Sequence, residues 1–243
     1  VLRSYLRQRQ QLAGKLSPAA VAAHPQWLFD ALQRDWPERA DAIMAANNEQ
    51  PPMVLRVNRR LGSREDYLAA LAAADIAATA GQLAPEAIYL QRAVDVAALP
   101  GFAAGQASVQ DEAAQLAAHL LGARAGERVL DACAAPGGKA CHLLELEPGI
   151  ALTAMDVDAS RLQRVRDNLQ RLSLQAEVLQ GNATAPPASL QERRFDRILV
   201  DAPCSASGVI RRHPDVKLLR RADDIATLAA QQLWILQDLW PLL

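Results

Sequence analysis

Along the first sixty residues the apolar positions recur at helical spacing. Leu2, Leu6 and Leu12 lie among Arg and Gln, and Trp27, Leu28, Ala31 and Leu32 form an apolar stripe. Ser17-Pro18 has the pattern of an N-cap followed by proline at the first helical position, where the missing N–H has no partner to lose. Glu49-Gln50-Pro51-Pro52 breaks the periodicity, and 53–58 then predicts a short strand. Ser63 and Asp66 have the spacing of a capping box at the start of a helix rich in Leu and Ala. The runs 87–90 and 107–110 predict further short strands, with a turn at Leu99-Pro100-Gly101 between them.

From Asp111 onward helix and strand patterns alternate. Helices are predicted over 112–121, 139–146, 159–172 and 224–240, and strands over 129–131, 152–156, 176–179 and 198–201. This rhythm is that of βαβ units, so the fold class is α/β with a doubly wound, Rossmann-like parallel sheet, preceded by a small helical and α+β region. A sheet of this kind would continue past its last helix, and the C-terminus is therefore expected to be truncated.

At 243 residues with 51% hydrophobic content the chain can bury a full core. No apolar run approaches a membrane span, and 1–7 mixes charges into its apolar residues as no signal peptide would. Three cysteines without CxxC spacing argue against a disulfide framework or a zinc site, so no metal is expected and a reducing cytoplasm is the default compartment. A net charge of −1 gives no global case for nucleic acid. Any such partner must be held locally, and Arg211, Arg212 and His213 with Lys217, Arg220 and Arg221 form the cluster best suited to it. Arg56 and Asn58, read as edge-strand residues, are further candidates for RNA contact.

Two loops at predicted strand ends carry the candidate chemistry. In the second, Asp201-Ala202-Pro203-Cys204-Ser205, Pro203 fixes its own φ and restricts Ala202, which stiffens a turn bearing a carboxylate and a thiol. In the first, Gly137 and Gly138 stand between a strand and a helix, where backbone amides attract anionic or electron-rich groups. The spacing matches neither GxGxxG nor GxxxxGK[ST], because position 133 is Cys and position 140 is Ala, which argues against a nucleoside triphosphate. Asp156 closes the next strand, where a carboxylate can hydrogen-bond two ribose hydroxyls, although a helix N-terminal acid is the plainer reading and Asp158 can fill that role. Gly181-Asn182 offers an amide for an adenine edge or simply a turn.

DACAAPGGK, MDVDASRLQRVRDNLQRL and FDRILVDAPCSASGVIRRHPDVK together resemble the RNA 5-methylcytosine methyltransferases, most closely the bacterial 16S ribosomal RNA branch of the RsmB (Sun/Fmu) type. PPMVLRVN and SVQDEAAQL resemble the same family's region ahead of the catalytic domain. The resemblance implies that Cys133, Ala134, Ala135, Pro136, Gly137, Gly138, Lys139, Asp156, Asn182 and Asp201 line a pocket for S-adenosyl-L-methionine. Many family members carry aspartate at the position of Asn182; asparagine keeps the acceptor oxygen and loses the charge. Residues 1–15 would be the last helix of a NusB-like RNA-binding domain, 16–110 a helical and α+β RNA-binding subdomain, and 111–243 the truncated methyltransferase domain. The implied partner is 16S ribosomal RNA, with no membrane and a monomer favoured.

C5 of cytosine is too weak a nucleophile to take a methyl group unaided, so a thiolate first adds to C6. In the RNA family the attacking cysteine belongs to a TC motif on the following strand, and the cysteine of the APC turn assists product release. The resemblance thus gives Cys204 and Asp201 catalytic positions, Cys204 in release and Asp201 on the base, with the nucleophile beyond Leu243. DNA 5-methylcytosine enzymes use a PC-loop cysteine as nucleophile, which keeps Cys204 open as the attacker. Amino-group methylation would prefer an [ND]PP[YF] loop where this chain has APCS, and a non-catalytic RNA-binding or assembly protein retaining the cofactor fold is a further alternative. Cys133 is expected to contribute its backbone and a small side chain, Cys141 to be core, and His24 and His119 to be surface or packing residues.

Overall fold

The computed structural model describes residues 14–243 of the chain, so most of the segment read as a NusB-like helix lies outside the described residues. Two compact units divide the chain: residues up to Pro51 with Pro203–Ala230, and Pro52–Ala202 with Gln231–Leu243.

The first unit holds the helices α1 (Pro18–Val21), α2 (Gln26–Asp35) and α3 (Ala40–Asn47). Ser17 caps α1 by accepting from the Ala20 amide at 3.2 Å, with Pro18 in the first turn. Buried His24 is bonded on both ring nitrogens, to the Ala22 carbonyl at 2.6 Å and the Asn47 side chain at 3.2 Å.

The second unit contains two sheets. In the antiparallel one, β1 (Met53–Val57) is an interior strand between β3 (Ala87–Leu90) and β4 (Ala107–Val109), and β2 (Ala78–Ala80) lines the outer side of β3. The capping box forms, opening α4 (Arg64–Ala73), whose Tyr67 and Leu71 pack with Leu55, Val57, Ile88 and Leu90. The strand β2 was not predicted. Its sequence is Ala-Thr-Ala, too short and too poor in β-branched and aromatic side chains to give a pattern, and pairing with β3 alone defines it.

The parallel sheet has the order β7-β6-β5-β8, with β5 (Arg128–Asp131), β6 (Ala151–Asp156), β7 (Glu177–Gln180) and β8 (Arg197–Leu199). Alternation along each strand sends successive side chains to opposite faces. Val129, Leu152 and Ala154 meet α5 (Glu112–Leu121), α6 (Gly138–Leu146) and α7 (Ala159–Arg171) through Ala118, Cys141, Leu143, Leu162 and Val165. Leu130 and Met155 face the other way, onto Leu190 of the short α8 (Ala188–Gln191), Phe195, and Ile235, Leu239 and Leu242 near the C-terminus. Two helices complete the order, α9 (Val216–Leu219) in the first unit and α10 (Ala222–Leu239), whose residues from Gln231 belong to the second.

Candidate active site

The chain runs from β5 outward to β6 and β7, then returns to place β8 on the other side of β5, so the strand order reverses between β5 and β8. In open α/β sheets the crevice at the carboxyl ends of the strands beside such a reversal takes the ligand. Residues 132–137 leave β5 there, and the loop is tied down on both sides: Ala132 N donates to the Leu199 carbonyl and Ala134 N to the Met155 carbonyl, each at 2.9 Å.

Gly137 has φ +99, a conformation that side chains resist, and a Cβ there would come within 3.2 Å of Val165. Glycine at this point lets α7 pack against the loop and lets α6 start at Gly138. Asp156, at the end of β6 and 3% exposed, accepts from the Ala135 amide and the Asp158 amide, both at 3.1 Å. Arg161 lies 3.5 Å from the same carboxylate and donates to the Ala135 carbonyl at 2.9 Å. Asp158 caps α7 through Ser160 and Arg161, so the helix N-terminal role belongs to it and Asp156 is directed into the loop.

Asp201, half-exposed beyond β8, forms an ion pair with Lys139 of α6. The structure thus links the two loops through residues singled out separately in the sequence. Asn182 lies after β7, and its side-chain oxygen accepts from the Thr184 amide at 3.0 Å and the Thr184 hydroxyl at 2.9 Å. The acceptor oxygen of Asn182 is therefore engaged in a local turn.

Asp131 is the residue the sequence reading passed over. It ends β5 immediately before the loop, is 1% exposed, and neither carboxylate oxygen has a hydrogen-bond partner. Burial, reinforced by the charge of Asp201, pushes its pKa up to about 7; Lys139 and the nearby Cys133 amide offset this only in part. A carboxylate as the last residue of the strand before a glycine turn was the available signal. Cys133 is half-buried with its thiol pushed up to about 11 by burial and three nearby carboxylates, and buried Cys141 is pushed up to about 12, so neither is poised as a nucleophile.

Several expected RNA contacts are corrected. Arg56 and Asn58 are each 1% exposed because β1 is an interior strand, not an edge. Arg56 makes a bidentate pair with Glu145 at 2.9 and 2.8 Å and donates to the Gly138 carbonyl at 2.7 Å. Asn58 donates to the Gly105 carbonyl at 3.0 Å and accepts from the Arg60 amide. Both are internal struts beyond the reach of RNA.

In the first unit Cys204 is exposed. The turn behind it is held by Arg220, which donates to the Ser205 carbonyl at 3.2 Å and lies 3.7 Å from Asp224. Lys217 is 8% exposed, donates to Asn48 at 2.6 Å, and has its pKa lowered by burial, so it leaves the basic cluster. Arg211 donates to the Gln50 carbonyl at 2.9 Å and lies 3.4 Å from Glu49. Of the remaining residues of the cluster, Arg212 is half-buried and His213 and Arg221 are exposed.

The family described as 16S rRNA methyltransferase RsmB/F matches residues 118–243, and a ferredoxin-like domain of RsmF/B-like methyltransferases matches 24–97. Ribosomal RNA small subunit methyltransferase B of Pseudomonas putida is 54% identical over 100% of this chain and 56% of its own length. The protein of the same name from Vibrio cholerae is 50% identical over 99% of this chain and 56% of its own. The chain thus spans about half the length of the curated relatives it matches. Among solved structures, a methyltransferase homolog from Pyrococcus horikoshii superposes with a TM-score of 0.77 at 29% identity, covering 93% of this chain and 74% of that one. Sheet order, glycine loop and these matches agree: the chain belongs to the 16S rRNA methyltransferase RsmB/F family.

Proposed function

We propose that this chain holds S-adenosylmethionine at the β5 and β6 loops and serves an enzyme that methylates C5 of a cytosine in 16S ribosomal RNA. The observation that carries the cofactor assignment is the pair of buried carboxylates flanking one glycine turn, Asp156 and the partnerless Asp131. Asp156 suits two vicinal ribose hydroxyls, since Ala135 and Arg161 hold it in place. Asp131 is a buried carboxyl with its pKa raised to about 7, and a cationic group beside it, such as the methionine end of the cofactor, favours its ionised form. The main chain from Cys133 to Lys139 and the NH2 of Asn182 complete the binding set. Once bound, the cofactor supplies an electrophilic methyl group.

For the reacting base, Asp201 is the polar side chain available at the second loop, with Lys139 fixing its carboxylate. A thiolate adding to C6 forms an S–C6 bond and makes C5 enamine-like; after methylation, loss of the C5 proton breaks that bond and restores the ring. By resemblance Cys204 assists this loss, and the attacking cysteine lies outside the 243 residues. Arg212, His213 and Arg221 are the residues assigned to RNA phosphates.

Calorimetry tests the cofactor assignment. Asp156→Ala should weaken S-adenosylmethionine binding by about 1–3 kcal/mol, the range for losing hydrogen bonds to a charged acceptor. Equal affinities for wild type and variant would remove Asp156 from the site.

A further inference from the structure

Glu86, His119 and His142 are distant in sequence and meet in the second unit. Glu86 immediately precedes β3, His119 lies in the last turn of α5, and His142 lies on α6, the helix that grows out of the glycine loop. His119 Nε2 is 2.8 Å from Glu86 Oε2, and His142 Nε2 is 3.9 Å from the same oxygen. The imidazole rings stand edge to face with centroids 5.4 Å apart, and one ligand atom from each of the three residues lies within 4.8 Å of the others.

A histidine–carboxylate hydrogen bond accounts for His119 and Glu86 but not for His142. That side chain is 1% exposed, and both its ring nitrogens lack a hydrogen-bond partner. In its neutral form the ring keeps a lone pair on one nitrogen, and no donor satisfies it. A neutral imidazole buried without a partner is costly, and a metal ion is the acid that takes such a lone pair. We propose that Glu86, His119 and His142 bind one divalent transition-metal ion, Zn2+ by preference, in a site that fastens β3 and α5 to the helix of the cofactor loop.

Two imidazoles and a carboxylate form a zinc-type ligand set. Tetrahedral bonds of about 2.0–2.2 Å place ligand atoms about 3.3–3.5 Å apart. The separations of 2.8 and 3.9 Å bracket that value. Arg59 lies 3.3 Å from Glu86 Oε1, which leaves Oε2 as the ligand atom and gives the carboxylate an outer partner. Arg56, the other nearby cation, pairs with Glu145. His119, with 29% of its side chain exposed, is the ligand that solvent reaches. The absence of CxxC spacing argued against a zinc site, but these ligands come from three separate elements and leave no local signature.

The test uses metal-stripped 243-residue chain equilibrated with Zn2+ alone, followed by elemental analysis and X-ray absorption. The expected result is one bound equivalent, an absorption spectrum with two imidazoles in the first shell, and a melting temperature raised by several degrees. His119→Gln, at the most exposed ligand, should lower Zn2+ affinity about tenfold or more, and His142→Ala should abolish stoichiometric binding. If His142→Ala fails to fold, the wild-type absorption spectrum still decides. No stoichiometric Zn2+ on folded wild type, a shell containing sulfur or no imidazole, or undiminished affinity in His119→Gln would overturn the site.

Discussion

At the residue scale the most consequential side chain is Asp131. Its pKa near 7 in the folded chain stands above the ordinary 3.8, so the folded state keeps a proton that the unfolded chain has already lost. The contribution to stability is therefore most favourable below about pH 4, declines as pH rises toward 7, and levels off above it. Asp131→Asn removes the titrating group at nearly constant shape. Thermal melts of that variant between pH 4 and 8 should fall off less steeply on the alkaline side than those of wild type, with a higher melting temperature at pH 8. Parallel profiles for the two proteins would show that Asp131 is ionised and compensated throughout. A cationic ligand favours the carboxylate form, so S-adenosylmethionine should bind more tightly as pH rises through about 7 in wild type and lose that dependence in Asp131→Asn. The strand end and the glycines were legible in the sequence because they are local. The orphaned state of Asp131 was not, since it arises from what surrounds the residue in three dimensions.

At the scale of elements, Arg56 joins β1 to α6. The pair with Glu145 has 0% and 2% side-chain exposure, and burial pushes the Glu145 pKa up while Arg56 holds it down. Arg56→Met leaves that carboxylate uncompensated, and chemical denaturation should show a loss of about 3–5 kcal/mol. The double variant Arg56→Met/Glu145→Leu should recover most of it. A loss below about 1 kcal/mol in the single variant would mean that water or another donor rescues Glu145. The sequence predicted the strand at 53–58 correctly, yet alternation cannot tell an outward polar residue from one bonded beneath a covering helix; which strands flank β1 decides that. The same limit applies to the basic segment, where Lys217 and Arg220 turned out to hold neighbouring chain. Charge neutralisation at Arg212 and Arg221 should accordingly flatten the salt dependence of RNA binding by about two units of log–log slope at most, while Arg56→Met leaves it unchanged. A slope unaltered by the first change would make that surface merely solvated.

At the scale of the whole molecule, the βαβ rhythm announced the parallel sheet because each of its strands and helices has its own period, and only the strand order needed the structure. The proposed division of chemistry between cysteines rests on the family resemblance. Cys133 is half-buried and Cys141 buried, with thiol pKa values raised by burial, whereas Cys204 is exposed on the turn after Pro203. If Cys204 acts in release, the 243-residue chain binds S-adenosylmethionine and transfers no methyl group to unmodified 16S ribosomal RNA, whereas a version carried through the next strand does both. In the longer protein Cys204→Ser should accumulate a covalent protein–RNA adduct stable on a denaturing gel, because the S–C6 bond still forms and its breaking is impaired. The opposite assignment makes opposite demands. Methylation of C5 by the 243-residue chain itself, together with no adduct from its Cys204→Ser variant, would make Cys204 the attacking thiol and place the whole covalent cycle on the turn that follows β8.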